Sequence, residues 1–412
     1  MEINKQILQL KLADGVGISF RKDGMLNITL CIIWSVVLLL RVKGVLNHLP
    51  LISDYSEEIL ISFVICAVLL SLPAVLNKFC LIDYLFYIFN VFYLLACYAF
   101  FPENKEYLDD NVLTCIFCVF TYYFVGRLID INKFFNVFLF FSVICILVDL
   151  YYYTIYAPQH KVMEEVVGND NMFTAYRLMP HVGLVLWAAL QKFSLWKMCL
   201  FIAGALFLLS CGTRGPLVCL GFFGIIYFVF YMNFRGAIYV KTFFFLSSFV
   251  LLIKLEDILL YLANTFTDMK LSTRIIEKFI TGDIGNDSYR SELRERLEHV
   301  VGDGEHFWGL GAFGCRNYDI IYPHFLPLDF VCTYGYVLGN TLLVFLICLI
   351  VLAFVVSRGT KVQVFIVFLF SMSIIKLLLS NTFLLEPYFY MLIGVCMKEV
   401  LNWYQQNTKV IL

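Results

Sequence analysis

The sequence predicts an all-α polytopic membrane protein, with about twelve transmembrane helices and one large extracytoplasmic loop before the last three. Three observations carry this. Of the 412 residues, 61% are Ala, Val, Ile, Leu, Met, Phe, Trp, Tyr or Cys, only 15% are charged, and the mean hydropathy is +0.84. A soluble globule cannot hide that much apolar surface, because a single core stops growing at about this length. The apolar residues come in unbroken runs of about 20, enough for a helix to cross a bilayer, rather than the ~10-residue alternating segments of a barrel. One long stretch, residues 264–333, lacks such a run. These features exclude a soluble enzyme, a secreted disulfide scaffold and a disordered chain, and a net charge of −1 excludes a nucleic-acid binder held by bulk charge.

Residues 1–24 scatter charges among apolar residues and show no small-residue cleavage site, so they read as a cytoplasmic, interfacial lead-in. Spans follow near 25–41, 59–76, 79–101, 111–129, 133–157, 178–193, 196–212, 215–233, 242–262, 334–356, 361–380 and 387–404. Lys254, Glu256 and Asp257 make 242–262 the weakest. The chain divides into an N-terminal bundle (1–263), a large extracytoplasmic loop (264–333) and C-terminal spans (334–412).

Lys and Arg set the orientation, since cytoplasmic loops carry their excess. With the N-terminus inside, Lys78, Arg127, Lys133, Lys192, Lys197, Arg235, Lys241, Arg358, Lys361 and Lys398 fall on the cytoplasmic side. Fewer, among them Arg41, Lys43, Lys105 and Lys161, fall opposite, and both termini come out cytoplasmic. The loop over 264–333 then faces outward, and residues 287–300 within it are compatible with a helix. The fourteen Cys frame nothing: all but Cys315 lie in or beside apolar runs, where Cys acts as a small hydrophobe, and the CxxC of Cys115 and Cys118 is read that way too.

Three arginines fall where helices should reach the outer surface. Arg177 opens a span in YRLMPH, Arg214 sits between spans in CGTRGP, and Arg290 lies in DSYRSELRER with Arg294 one turn on. Arginine suits bidentate phosphate recognition, since its planar fork stays charged and weakly hydrated. Snorkelling to the headgroups is the competing reading of any one of them. His324, in IIYPHFLPLDF, can accept a proton near neutral pH. Taken alone, His324 and His181 alike read more readily as hydrogen-bonded structural residues, and Asp329 and Asp319, which could orient a base or an acceptor sugar, as solvated loop acids. GLGAFG at 309–314 matches GxGxxG by letter only; no βαβ unit surrounds it, so its glycines are expected to permit a tight turn. Among intramembrane charges, Lys376 sits near the outer end of its span and adds positive charge on the same side.

On these motifs the chain resembles the O-antigen polymerase/O-antigen ligase superfamily of bacterial envelope proteins. That family leads an arginine helix into a Gly-rich turn, then a PHN-type histidine motif and spaced glycines before a span. Arg290, Gly309, Gly311, His324, Asp329, Gly335 and Gly339 fall in that order here; CGTRGP resembles its S-R-G turn, and RLMPHVG its Arg…Pro-Asn segment. Phe325 and His181 stand where the family has Asn.

The resemblance implies a GT-C-like, metal-independent glycosyltransferase with a periplasmic loop in the bacterial inner membrane, needing no cofactor. Its donor is a glycan on undecaprenyl diphosphate; an acceptor hydroxyl attacks the anomeric carbon and the lipid diphosphate leaves. Arg214 and Arg290 would hold the diphosphate and His324 would take the acceptor proton. Arg177, Arg294, Asp329 and His181 would line the substrate. The expected partners are that glycan, membrane lipids and, where chain length is controlled, a regulator; nucleic acid is not expected. The favoured activity is polymerisation of O-antigen, capsular or exopolysaccharide repeats. A ligase to lipid A core or to protein shares the chemistry, and a twelve-span transporter or flippase is the alternative of a different class.

Overall fold

The computed structural model describes residues 7–12, 16–35, 78–153, 170–232, 254–268, 273–281, 288–302 and 306–408, with isolated positions at 62, 69, 238–239 and 241–242. It is a helical bundle preceded by one antiparallel hairpin. The hairpin pairs β1 (Ile7–Leu12) with β2 (Val16–Arg21), Ile7 opposite Arg21 and Leu12 opposite Val16. Leu8–Leu12 alternates apolar and polar residues, the period of a strand.

The helices are α1 (Lys22–Trp34), α2 (Leu81–Phe100), α3 (Pro102–Leu128), α4 (Ile131–Tyr151), α5 (Asp170–Gln191), α6 (Leu195–Ser210), α7 (Gly215–Tyr231), α8 (Leu255–Asp268), α9 (Arg274–Ile280), α10 (Ser288–Gly302), α11 (Leu326–Tyr334), α12 (Tyr336–Val356), α13 (Lys361–Leu379) and α14 (Pro387–Thr408). Five of them, α2, α3, α4, α12 and α13, are long and apolar enough to cross a membrane; α6 and α7 are apolar but shorter. The span expected at 59–76 and most of the one at 242–262 lie outside the described residues, and the end of the latter belongs to α8. The helix expected over 287–300 is α10.

Starts and stops follow local chemistry. Asp130 caps α4 by accepting from Asn132 N–H at 3.1 Å, and Thr360 caps α13 by accepting from Gln363 N–H at 3.3 Å. Within the bundle α3 and α14 approach most closely. A Cβ at Gly126 would strike the Met391 carbonyl, and one at Gly394 would sit 2.8 Å from Arg127 N. Small residues at a crossing are how membrane helices gain dispersion contact without a hydrophobic drive. Around this seam the core is aromatic: Trp34 stacks on Phe138 at 4.5 Å, and Trp187, Phe223, Phe365 and Phe368 are buried together.

The two ends of the bundle differ. At one, Lys398 Nζ donates to the Ile129 carbonyl at 2.6 Å, Lys361 lies 5.6 Å from the Phe135 ring, and Lys197 Nζ donates to the Ala188 carbonyl at 3.4 Å. This basic end also holds a buried pair, Arg127 Nε with Asp83 at 2.8 Å. At the other end sits a lobe built from α10, the 306–325 segment and α11. It has a small core of its own (Leu297, Val301, Leu310, Cys315, Ile320, Leu328 and Cys332). Asn104 Nδ2 ties it to the bundle through the Leu310 carbonyl at 2.6 Å, and Tyr93 Oη through the Thr333 carbonyl at 2.6 Å. Gly309 (φ 86°) and Gly335 (φ 82°) meet backbone to backbone, where a Cβ on Gly309 would lie 2.5 Å from Gly335 N. The GLGAFG glycines thus serve the tight turn expected of them.

Candidate functional site

The C-terminus of α13 is where the predicted residues gather. An α-helix ends with carbonyls that lack intrahelical partners. Here the Leu379 carbonyl accepts from Arg290 Nη1 at 3.0 Å and faces His324 Nδ1 at 3.4 Å. Arg290 comes from the first turn of α10, and His324 from the turn just before α11. Arg294, one turn beyond Arg290, donates from Nη2 to the His324 carbonyl at 3.0 Å, and its guanidinium lies 5.3 Å from the Phe325 ring. The α10 arginines therefore hold the histidine segment against the end of α13.

His324 adopts φ 57°, a left-handed conformation uncommon for a residue with a Cβ. Such conformations persist only where surrounding contacts over-determine them. A carbonyl can only accept, so Nδ1 is the protonated nitrogen and Nε2 of the neutral ring is left as acceptor. The Tyr322 ring packs on the imidazole at 4.4 Å, and Ser380 Oγ donates to Tyr322 Oη at 3.4 Å.

Arg214 is the residue before α7, and the next residue, Gly215, packs directly beneath the Tyr176 hydroxyl. That hydroxyl is within hydrogen-bonding reach of Ser380 and in the field of Arg290. Tyr176 and Ser380 thus bring the start of α7 next to the Arg290–His324 pair. Arg177 follows Tyr176 on α5; it is exposed, and its charge acts on buried Tyr122.

Asp329 and His181 stand apart. The Asp329 carboxylate is buried in α11 and accepts from Phe383 N–H at 3.0 Å, so it fixes the turn after α13. Burial pushes this carboxyl up to about 7, against the lowering effect of its hydrogen bonds from Phe383 and Thr382. His181 is wholly buried between α4 and α5, with Nδ1 3.0 Å from Ser142 Oγ. Trp34 Nε1, a donor only, gives its proton to the same Oγ at 3.1 Å. Ser142 Oγ, with two lone pairs and one proton, links the Trp34 indole to the His181 ring.

Lys376, expected to add positive charge on this side, has a partner that the sequence did not reveal. Lys376 and Glu386 form a buried ion pair between α13 and α14. Asn381 (φ 75°) also donates to Glu386 Oε2, at 3.1 Å, and Lys376 Nζ lies 4.8 Å from the Tyr176 ring. A π-helical turn at Ser371–Ile375 immediately precedes Lys376; such turns often mark functional positions. Both charges were visible in the sequence, but nothing in it paired residues across the 380–386 turn. Beside the turn, an apolar groove of about 220 Å³ runs from Phe330 and Phe383 to Met397 along α2, α12 and α14.

Among the described residues, no three His, Cys, Asp or Glu side chains group as metal ligands. The chain matches no protein-family model, no curated protein and no solved structure.

Proposed function

We propose that this chain is an inner-membrane glycosyltransferase that polymerises oligosaccharide repeats carried on undecaprenyl diphosphate. It would cross the membrane about twelve times, with both termini cytoplasmic and the site facing the periplasm. The observation that carries the reading is the convergence of Arg290 and His324 on the Leu379 carbonyl, with the start of α7, just after Arg214, packed on Tyr176. This cluster lies at the end of the bundle opposite Lys197, Lys361 and Lys398. An excess of Lys and Arg marks the cytoplasmic side, which supports an outward-facing cluster.

Breaking a sugar–phosphate bond builds negative charge on the leaving diphosphate. Fixed guanidinium groups in a water-poor cleft stabilise that charge most strongly. His324 would receive the acceptor proton on Nε2, with the ring aimed by its Nδ1–H toward Leu379. The apolar lining of the groove at Phe383 suits a substrate carrying a long hydrocarbon tail.

The test uses a strain whose surface glycan depends on this gene. Arg290→Ala and His324→Ala should each abolish long glycan bands while the protein still reaches the membrane. Normal ladders from both variants would end the catalytic assignment. Deleting the gene separates polymerase from ligase: a core capped by a single repeat marks a lost polymerase, and an uncapped core with glycan left on its carrier marks a lost ligase.

A further inference from the structure

The lobe carries two cysteines in its core. Cys315 lies in the 3-10 turn Gly314–Tyr318, and Cys332 lies on α11. The structure holds both as free thiols. They are buried together in the lobe's small core, with Cys315 Sγ within hydrogen-bonding reach of Cys332 Sγ. Both backbones are anchored: the Cys332 carbonyl accepts from Leu310 N–H at 2.6 Å, and the Cys315 carbonyl from Ile320 N–H at 3.3 Å.

We infer that Cys315 and Cys332 are joined by a disulfide in the mature protein, closing the segment that carries Tyr322, His324 and Asp329. The inference rests on the proposed orientation, since disulfides form and persist on the oxidising side of a bacterial membrane and not in the cytosol. The chemistry balances by thiol–disulfide exchange while the lobe folds. A disulfide-bearing oxidant takes two electrons and two protons from the pair and leaves as two thiols, as its own S–S bond breaks and the Cys315–Cys332 bond forms.

The enclosed segment explains why a covalent tie is useful. Three residues with side chains hold positive φ in or beside it: Phe313 (61°), Asp319 (60°) and His324 (57°). Each is disfavoured, and a chain with several must be held from outside. A bond between the first turn of the segment and α11 removes open conformations from the unfolded ensemble, which favours the strained loop without touching the site itself.

The experiment takes the full chain in native membranes, dissolves it in SDS with the alkylating reagent already present so that buried free thiols react, and digests it without reduction. A linked peptide pair containing Cys315 and Cys332 is expected, with Cys332 becoming alkylatable in Cys315→Ser. A second variant, Trp308→Cys, reports the side of the membrane, because Trp308 is 78% exposed on the same lobe. It should react with an impermeant maleimide added to intact spheroplasts. If that label arrives from outside while Cys315 and Cys332 are both alkylated as free thiols, the disulfide is refuted and the orientation stands. If Trp308→Cys reacts only after permeabilisation, the orientation fails and takes the disulfide with it.

Discussion

Arg290 and His324 meet on one atom, the carbonyl oxygen of Leu379, at 3.0 Å and 3.4 Å. The two side chains come from either end of the lobe, and the oxygen from the last residue of α13. This contact reads both as a helix cap and as a ligand-free binding site, and substitutions separate the two. A pure cap tolerates any cation, because the last carbonyls of a helix attract positive charge of either kind. Phosphate recognition needs the planar fork. Arg290→Lys should therefore keep the melting temperature within a few degrees yet lower glycan extension by about 100-fold, the order of loss for one transition-state contact. Extension assays in purified membranes, set beside thermal melts, measure both.

Asp329 sets a pH dependence of stability. Its carboxyl is raised in the folded protein to about 7 by burial, whereas an unfolded aspartate titrates near ~3.9. A raised value means the folded state binds the proton more tightly, so the stabilisation is complete below ~3.9 and is lost as pH rises through about 7. Asp329→Asn should flatten the melting-temperature profile across that window and leave the variant relatively more stable above neutrality. Melts of detergent-solubilised protein at pH 5, 6, 7 and 8 (about evenly spaced across the linkage window) give the comparison; a slope unchanged by the substitution would contradict it.

The buried pair Lys376–Glu386 invites a paired substitution. Removing one partner leaves an uncompensated charge and is expected to cost about 3–5 kcal/mol. Replacing both with apolar residues of similar size is often neutral or better. Lys376→Met alone should therefore unfold at much lower temperature than Lys376→Met combined with Glu386→Leu, as followed by intrinsic fluorescence or light scattering during heating.

The seam between α3 and α14 gives the simplest stability test. Gly394→Ala puts a methyl against the Tyr123 carbonyl and Arg127 N, which are backbone atoms that cannot rotate away. Overpacking of this kind costs about 1–3 kcal/mol or more. Gly221→Ala, whose Cβ would meet nothing within 4 Å, is the matched control. A melting-temperature difference between the two variants is the readout.

How far the sequence could be read depends on which interactions a one-dimensional pattern records. The spans α2, α3, α4, α12 and α13 were readable because each is a long apolar run. Helix α10 was readable from its charge-rich, Gly- and Pro-free stretch, and Arg290, His324 and Arg214 from the chemistry of their residue types. The hairpin was missed although Leu8–Leu12 alternates with the period of a strand. Helix α11 was read as part of the loop, although the span start at 334 falls one residue before the break at Gly335, φ 82°. Asp329 looked like a loop acid, yet its partner Phe383 N–H lies 54 residues away across a turn that no spacing rule connects. Tyr176, Ser380, Lys376 and Glu386 enter the site through tertiary neighbours alone.

Arg294 anchors to the backbone oxygen of the residue whose ring it helps to aim. A main-chain acceptor is identical in all residue types, so this brace does not depend on what stands at position 324. Chemical rescue becomes practical: with His324 replaced by Gly or Ala, the frame that presented the imidazole would remain, and a diffusible imidazole would find its berth already built.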